Sequence, residues 1–255
     1  MSFAVIGGTG CYDFLSGEVA TVEVATPYGA VTLDRGRVEG VEVVFLPRHG
    51  KDHRVPPHRI NYRANIAALR DLGVKNILAS AAVGTMRETM PPGSLAALTQ
   101  FLDFTRGRAS TFYDGADGKV VHTDMTQPYC PHLREELLAA AQGLGEHLHP
   151  GAVYVCAEGP RFETPAEIRM FQKLGGDLVG MTGVPEAVLA REAGLCYASV
   201  AIATNWAAGA SPEKIAHKEV SDFMEQHTPR VVALFKHVIR SHTEIACACR
   251  EQPEA

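Results

Sequence analysis

Residues 158–182 restrict the fold of this chain more than any other stretch. Residues 164–167, TPAE, have the composition of a helix start, with a capping hydroxyl, proline at the first helical position and glutamate three residues after the cap. The glycine pair at 175–176 predicts the end of that helix. Residues 159–163 are therefore expected to form a tight loop that joins a strand to a helix.

This loop brings an aromatic ring, Phe162, next to a carboxylate, Glu163. An aromatic face beside a hydrogen-bond acceptor suits a flat heterocycle that has a ring N–H group. The alternative is an ordinary loop, in which Phe162 packs into the core and Glu163 faces water. These two residues alone do not decide between the two interpretations.

The order of strand, loop and helix recurs along the whole chain. Apolar runs predict strands at residues 3–6, 41–46, 74–83, 95–104, 152–157, 177–180 and 195–204. Helical periodicity predicts helices at residues 58–72, 131–145, 165–175, 185–192 and 219–240. The alternation predicts an α/β fold with a mixed, largely parallel, twisted sheet flanked by helices. Ligands bind such sheets beyond the carboxyl ends of the strands.

Composition indicates one large domain. The chain has 255 residues, of which 46% are hydrophobic, and neither a linker nor a repeat divides it. We therefore expect one domain over residues 1–240 and a polar, frayed tail over 241–255. The net charge of -5 does not suggest a nucleic-acid partner. The sequence shows no membrane-spanning apolar run and no secretory signal.

The six cysteines are scattered, which is typical of a cytoplasmic protein and not of a disulfide framework. Four of them lie in apolar surroundings or near a helix start: Cys11, Cys130, Cys156 and Cys196. Cys247 and Cys249 lie in the polar tail, and their spacing is too weak to predict a metal site. These two residues could form a redox pair or have no function, and the sequence does not decide between the two.

Two segments that follow strands have the chemistry of an anion site. The first is the turn at residues 7–10, GGTG, whose backbone N–H groups and Thr9 hydroxyl suit a phosphate. A plain turn is the alternative, and the third glycine of a dinucleotide fingerprint is missing. The second segment is the loop at residues 47–58, where Arg48 offers a two-pronged donor. A metal held by His49 and His53 is disfavoured, because the prolines predict a loop and no glutamate lies at helical spacing.

Three motifs resemble those of the trimeric purine nucleoside phosphorylases, and most closely their methylthioadenosine phosphorylase branch. They are GPRFETPAEIRMFQKLG from residue 159, GMTGVPEAVLARE from residue 180 and ATN from residue 203, and the similarity extends from residue 6 to about residue 220. The resemblance implies an enzyme, a pentosyltransferase that cleaves the ribose–purine bond with inorganic phosphate. It implies neither metal nor organic cofactor, and a cytoplasmic homotrimer, with pairing of trimers left open.

The resemblance also implies a role for individual residues. Phosphate is expected to contact Thr9, Arg48, His49, the Ala82 main chain and Thr182. The base and ribose are expected to contact Phe162, Glu163, Met181, Asn205 and Ala207, with Asn205, His49 and Glu163 as the catalytic set. Core packing remains the alternative for Phe162 and Met181, and a turn cap for Asn205. Relatives often have a hydroxyl where Ala81 stands, so this phosphate site is expected to lack one donor.

The choice of base follows from hydrogen-bond polarity. A 6-oxopurine offers N1–H as a donor and O6 as an acceptor, and a 6-aminopurine reverses both. Ionised Glu163 accepts from N1–H, and the Asn205 amide donates to O6 or N7. Adenine-preferring relatives have an Asp at the position of Asn205, a second acid at that of Ala207 and a small hydroxyl residue at that of Glu163. This chain departs from all three, and mispaired groups in a closed site cost about 10⁴-fold or more, so we expect hypoxanthine or guanine.

The 5′ end of the nucleoside stays open. His53 and His217 suit a 5′-hydroxyl, and Val220 and Met224 suit a methylthio group. His122 in the 105–126 loop is the candidate from a neighbouring subunit, or an ordinary exposed side chain. Substrates are therefore S-methyl-5′-thioinosine, inosine or guanosine. The alternatives are an S-methyl-5′-thioadenosine phosphorylase and a non-catalytic nucleotide-binding module.

Overall fold

A computed structural model describes residues 3–8, 14–116, 118, 120–211 and 217–251, and within 217–251 it leaves the side chains of His217 and Glu219 undescribed. The strands in these ranges are β1 (Phe3–Gly7), β2 (Ser16–Thr26), β3 (Gly29–Val38), β4 (Val41–Pro47), β5 (Asn76–Thr85), β6 (Leu95–Phe104), β7 (Leu148–Ala157), β8 (Leu178–Gly180) and β9 (Cys196–Trp206). The α-helices are α1 (Tyr62–Asp71), α2 (Pro131–Leu144), α3 (Pro165–Lys173), α4 (Gly183–Glu192) and α5 (His217–Ser241). Two short 3₁₀ helices lie at Pro57–Arg59 and Ala248–Arg250.

The strands form one mixed sheet in the order β2-β3-β4-β1-β5-β8-β7-β6-β9. β1 lies parallel to both β4 and β5, and β9 pairs with β5 in parallel and with β6 in antiparallel. Because β9 contacts both ends of the run from β5 to β6, these five strands close into a ring. The predicted α/β fold with a mixed sheet is confirmed.

Helices cover both faces of the sheet, and β1 shows why. Its side chains alternate between faces, as in any strand. Ala4 and Ile6 belong to a buried cluster with residues of α1 and α4, and Phe3 and Val5 belong to a second cluster with residues of α2 and α5. A strand buried on both sides appears in the sequence as a continuous apolar run, which is how β1 was predicted.

The antiparallel pair β2 and β3 was missed by the sequence analysis. β2 has no buried residue and β3 is buried only at Val31, Leu33 and Val38, so neither strand contains a continuous buried apolar run. The available signal was alternation, with Val22 and Val24 on one strand and Val31 and Leu33 on the other packed against the core. The two strands extend the sheet at its β4 edge.

The prediction of a frayed tail is wrong for residues 241–251. Cys249 is only 4% exposed, and the Arg250 guanidinium donates to Asn76 Oδ1 at 3.1 Å. His242 contacts the Glu136 carboxylate of α2 at 2.8 Å. The segment after α5 therefore packs against α2 and the start of β5. Within the described ranges, no helix combines the length and the apolar character needed to cross a membrane.

Candidate active site

A cavity of about 490 Å³ opens where the parallel strands end. Its walls come from the segments after β1, β4, β7 and β8, from the ends of β5 and β9, and from α5. It brings together most of the predicted site residues: Arg48, His49, His53, Ala82, Phe162, Glu163, Met181, Thr182, Asn205, Ala207 and Val220. Its size is that of a small-molecule site.

Three predicted residues are not placed in this cavity. Thr9 lies outside the described residues, although Gly8 before it lines the cavity. The side chain of His217 is also outside the described part of the chain. His122 is exposed and is not among the residues that line the cavity, so its role at a neighbouring subunit stays a prediction.

Arg48 is fixed by a buried ion pair that was not predicted. Its Nε donates to Oε1 of Glu186 on α4, and its Nη2 donates to Glu186 Oε2 at 2.9 Å. Its Nη1 donates to the Ser80 carbonyl of β5 at 2.9 Å, and the Tyr197 hydroxyl of β9 donates to Glu186 at 2.8 Å. Arg48 is 4% exposed and Glu186 is 1% exposed. The guanidinium is therefore held directly by α4 and β5, and β9 supports it through Glu186.

This pairing leaves Arg48 able to bind an anion. Burial alone would lower the pKa of Arg48, but the Glu186 carboxylate outweighs burial and the net shift is upward, so the side chain stays charged. A guanidinium has five N–H groups, and the contacts to Glu186 and Ser80 use three of them. Two N–H groups are left without an acceptor in the described part of the chain, on a residue that lines the cavity.

His49 is oriented by the loop that contains it. Its Nδ1 lies 2.8 Å from the Val55 carbonyl, which can only accept, so Nδ1 holds the proton. The His53 ring lies 4.5 Å from the His49 ring between centroids. A Cβ atom at Gly8 would lie 3.7 Å from His49 Cδ2, so the turn after β1 runs directly beside this ring.

Thr182 is placed by the start of α4. The buried Tyr154 hydroxyl accepts from the Thr182 N–H at 3.1 Å and from the Gly183 N–H at 3.4 Å. The Thr182 side chain makes no capping bond to the helix, and the residue lines the cavity. Thr182 therefore brings a hydroxyl and a helix start, which favours negative charge, to the wall that also contains Arg48.

Glu163 is the one predicted site residue with a buried carboxylate oxygen that has no hydrogen-bond partner among the described residues. Its Oε1 has no hydrogen-bond donor within reach in the described part of the chain. The neighbouring cation, Arg161, pairs with Glu167 at 2.7 Å instead. Glu167 also completes the predicted capping box with Thr164. Burial raises the pKa of Glu163 above its ordinary value.

Phe162 does not pack into the core, contrary to the alternative interpretation of this loop. It is 38% exposed and lines the same cavity as Glu163. Met181 also lines the cavity, so close to Gly159 that a Cβ atom there would be 2.6 Å from the Met181 sulfur. The loop thus offers an aromatic face and an unpaired acceptor to the cavity together.

The Asn205 amide is oriented by its own strand end. Its Nδ2 donates to the Trp206 carbonyl at 2.8 Å, and its Oδ1 accepts from the Thr204 hydroxyl at 2.8 Å. Since a carbonyl cannot donate, the first contact fixes which end of the amide is nitrogen. One N–H group and one lone pair have no other partner in the described part of the chain, and Asn205 lines the cavity.

Arg108 is a positioning residue that the sequence analysis missed. It lies in the 105–126 loop, yet its side chain is only 3% exposed. Its Nη1 donates to the Met181 carbonyl at 2.7 Å, and its Nη2 donates to the Glu158 carbonyl at 2.6 Å. Both carbonyls flank the cavity wall, so Arg108 ties the end of β7 to the end of β8. The only signal in the sequence was the length of the loop.

The buried ion pair generates a prediction about stability. Replacement of Glu186 by glutamine leaves the buried Arg48 charge without its counter-ion, so we expect the free energy of unfolding to fall by about 3–5 kcal/mol. The measurement is equilibrium urea unfolding. The control is Asp34→Asn, which breaks an ion pair with Lys51, a residue whose side chain is 46% exposed. That change is expected to cost about 0–1 kcal/mol. Equal losses in the two variants would contradict the assigned importance of the buried pair.

Comparison with known proteins identifies the family of this chain. The model of the phosphorylase superfamily matches residues 2–240. A probable 6-oxopurine nucleoside phosphorylase of Dictyoglomus turgidum is 52% identical over 98% of this chain and 95% of its own. A probable S-methyl-5′-thioinosine phosphorylase of Methanopyrus kandleri is 52% identical over 98% of this chain and 96% of its own.

A solved structure of a nucleoside phosphorylase has the same fold as this chain. The methylthioadenosine phosphorylase of Schistosoma mansoni in complex with adenine superimposes with a TM-score of 0.89 and 37% identity, over 94% of this chain and 91% of that one. The resemblance drawn from the residues alone is confirmed, and with it the prediction of a pentosyltransferase. Because the family match covers nearly its whole length, this chain belongs to the phosphorylase superfamily.

Proposed function

We propose that this protein is a 6-oxopurine nucleoside phosphorylase, which uses inorganic phosphate to release the free base and a ribose 1-phosphate or methylthioribose 1-phosphate. The observation that carries the proposal is the Glu163 carboxylate, buried in the cavity wall with an oxygen that no described donor reaches. An unsatisfied buried acceptor is destabilising unless a ligand or a water molecule supplies the donor. The N1–H group of a 6-oxopurine is such a donor.

Phosphorolysis requires positioning and electrostatics in place of a covalent nucleophile. As the bond from C1′ to the base breaks, the ribose gains oxocarbenium character and the purine gains negative charge. Phosphate beneath the sugar would accept hydrogen bonds from Arg48 and Thr182, with His49, Thr9 and the Ala82 main chain around it. The remaining Asn205 N–H would stabilise charge on N7 or O6. Neither a metal nor an organic cofactor enters this scheme, and phosphate is the co-substrate.

Base choice follows from the ionisation of Glu163. The ionised carboxylate accepts from the N1–H of hypoxanthine or guanine, but it would face the lone pair on N1 of adenine. The protonated acid would instead donate to adenine N1. Because burial raises the pKa of Glu163, its carboxylate becomes protonated at a higher pH than that of an ordinary glutamate. A 6-aminopurine is therefore the weaker substrate class, and most of all at neutral pH.

The 5′ end of the substrate would meet α5. Val220 and Met224 lie one helical turn apart and line the cavity with Ser221, and Val55 and Pro56 belong to the same wall. This apolar composition favours a methylthio group. Inosine and guanosine remain within the proposal, because His53 also lines the cavity.

Assembly and location belong to the proposal and rest on the family resemblance. We expect a homotrimer in the cytoplasm, with His122 of one subunit reaching the site of its neighbour. Pairing of trimers is left open. Sedimentation velocity of the purified protein tests the assembly.

The direct test of the function is phosphate-dependent release of base. We expect hypoxanthine from S-methyl-5′-thioinosine and from inosine only when phosphate is present, with kcat/KM for methylthioadenosine lower by about 10⁴-fold. The kcat/KM for methylthioinosine should exceed that for inosine. Equal rates without phosphate would exclude phosphorolysis, and binding without turnover would support a nucleotide-binding module. Faster release of adenine would support the alternative of a methylthioadenosine phosphorylase.

Glu163→Gln should separate activity from stability. A hydrogen bond to a charged group contributes about 1.5–3 kcal/mol, so kcat/KM for inosine should fall roughly 10- to 100-fold. Folding raises the pKa of Glu163, so the ionised side chain lowers stability as the pH rises through that raised pKa. The variant should therefore be more stable than the parent above this pH. The acid limb of the parent kcat/KM profile should lie above the ordinary Glu pKa of 4.5 and should be absent in the variant.

The matched control is Glu146→Gln, the same substitution at a carboxylate that pairs with Arg230 and does not line the cavity. Hydrogen bonds from Arg230 lower the pKa of Glu146, so its ionised form stabilises the fold above the ordinary Glu pKa. This variant should lose stability and keep activity within a few-fold. Loss of stability without loss of activity in Glu163→Gln would contradict the role in base recognition.

Asn205→Asp should change the selectivity for the base. The carboxylate cannot donate to O6, and one of its oxygens would face the Trp206 carbonyl that the amide now bonds. We expect kcat/KM for inosine to fall by at least about tenfold and the ratio of adenosine to inosine turnover to rise. Competition assays with both nucleosides measure the ratio. An unchanged ratio would show that Asn205 is only a turn cap.

A further inference from the structure

Four cysteines from distant parts of the sequence meet at one place in the fold. Cys130 is the N-cap residue of α2, and Cys196 is the first residue of β9. Cys247 and Cys249 lie in the segment after α5, at the second 3₁₀ helix. Their sulfur atoms all lie within 4.8 Å of one another. We call this group the thiol cluster.

The spacing of the sulfurs fits a tetrahedral metal centre. Zinc binds thiolate sulfur at about 2.3 Å, which places neighbouring sulfurs of a tetrahedron roughly 3.8 Å apart. The Cys130 and Cys247 sulfurs are 3.7 Å apart. A disulfide would need about 2.05 Å. This pair is thus separated as two ligands of one ion would be, and the other sulfurs lie within the 4.8 Å limit.

The surroundings of the thiol cluster suit a closed structural site. Cys130, Cys196 and Cys249 are at most 4% exposed, and Cys247 is half-buried. Arg191 interacts electrostatically with Cys249. Arg250 interacts with Cys196, and its Nε is a buried donor without a hydrogen-bond partner among the described residues. These cations offset the negative charge that four thiolates leave around a divalent ion.

We propose that Cys130, Cys196, Cys247 and Cys249 bind one zinc ion, or another thiophilic divalent ion, as a tetrathiolate structural site. Each thiol loses its proton to solvent as the ion binds, and no electron is transferred. Four protein ligands leave no open position for a substrate, as in other structural zinc sites. The cluster lies at the first residue of β9, and Asn205 lies near its last residue, so the ion would be remote from the active site.

The ion would explain why the tail is ordered. It joins the segment after α5 to the start of α2 and the start of β9, and the nearby contact of Arg250 with Asn76 joins the same segment to β5. The tail has little apolar surface of its own, since Cys249 is its one buried hydrophobic residue among those described. Metal binding would supply the free energy that ordering this segment requires.

The test is metal content of the full-length protein, prepared without a histidine tag and measured by mass spectrometry of the elements. We expect about one zinc per chain, loss of zinc in Cys196→Ser and Cys249→Ser, and retention in Cys156→Ala. Cys156 is a buried free cysteine outside the thiol cluster, so it is the matched control. Removal of zinc from the parent with a chelator should lower Tm, and added Zn²⁺ should restore it. This reversible shift decides the question if the serine variants fail to fold.

Three results would overturn the proposal. Disulfides in the parent, seen as a mass lower by two hydrogens per bond and as thiols missing after denaturation, would assign the thiol cluster to redox pairs. A fully reduced parent protein that stays metal-free after exposure to Zn²⁺ would mean that the four thiols pack together without binding a metal. Zinc retained in the serine variants but lost in His132→Gln would assign the ion to the neighbouring group His132, Glu136 and His242.

Discussion

The buried pair of Arg48 and Glu186 is the constraint on which the site depends. It joins the loop after β4 to the first turn of α4, and through Ser80 and Tyr197 it reaches β5 and β9. Removal of either charge would leave the other unpaired in the core, which is more costly than the pair itself is stabilising. The same guanidinium lines the cavity and keeps two N–H groups without an acceptor among the described residues, so one interaction holds the strand ends together and prepares an anion site.

On the side of the cavity that would bind the base, a hydrogen-bond acceptor is left unpaired. One carboxylate oxygen of Glu163 is buried without a donor among the described residues, although Arg161 lies two residues away, because Arg161 pairs with Glu167 of the α3 capping box. Local folding thus leaves an acceptor unsatisfied beside the exposed ring of Phe162. Where a fold leaves a buried acceptor without a donor, a ligand is expected to supply that donor.

How much the sequence could predict depended on the range of the interaction. The capping box of α3 and the apolar run of β1 are local signals, so the α/β fold and the loop containing Glu163 were predictable. The pairing of Arg48 with Glu186 spans 138 residues, and no spacing rule indicates it. The thiol cluster and Arg108 likewise depend on long-range packing. Strands β2 and β3 were missed because their core-facing apolar residues alternate with exposed ones and form no continuous apolar run.

A crystal structure with hypoxanthine and phosphate tests the central claim most directly. The account predicts the Glu163 carboxylate within about 3 Å of purine N1, the Asn205 amide at O6 or N7, and phosphate against Arg48 and Thr182. A purine bound in the cavity with Glu163 still unpaired, or with its N1 edge facing α5, would contradict it. Such a result would remove the physical basis for selecting 6-oxopurines.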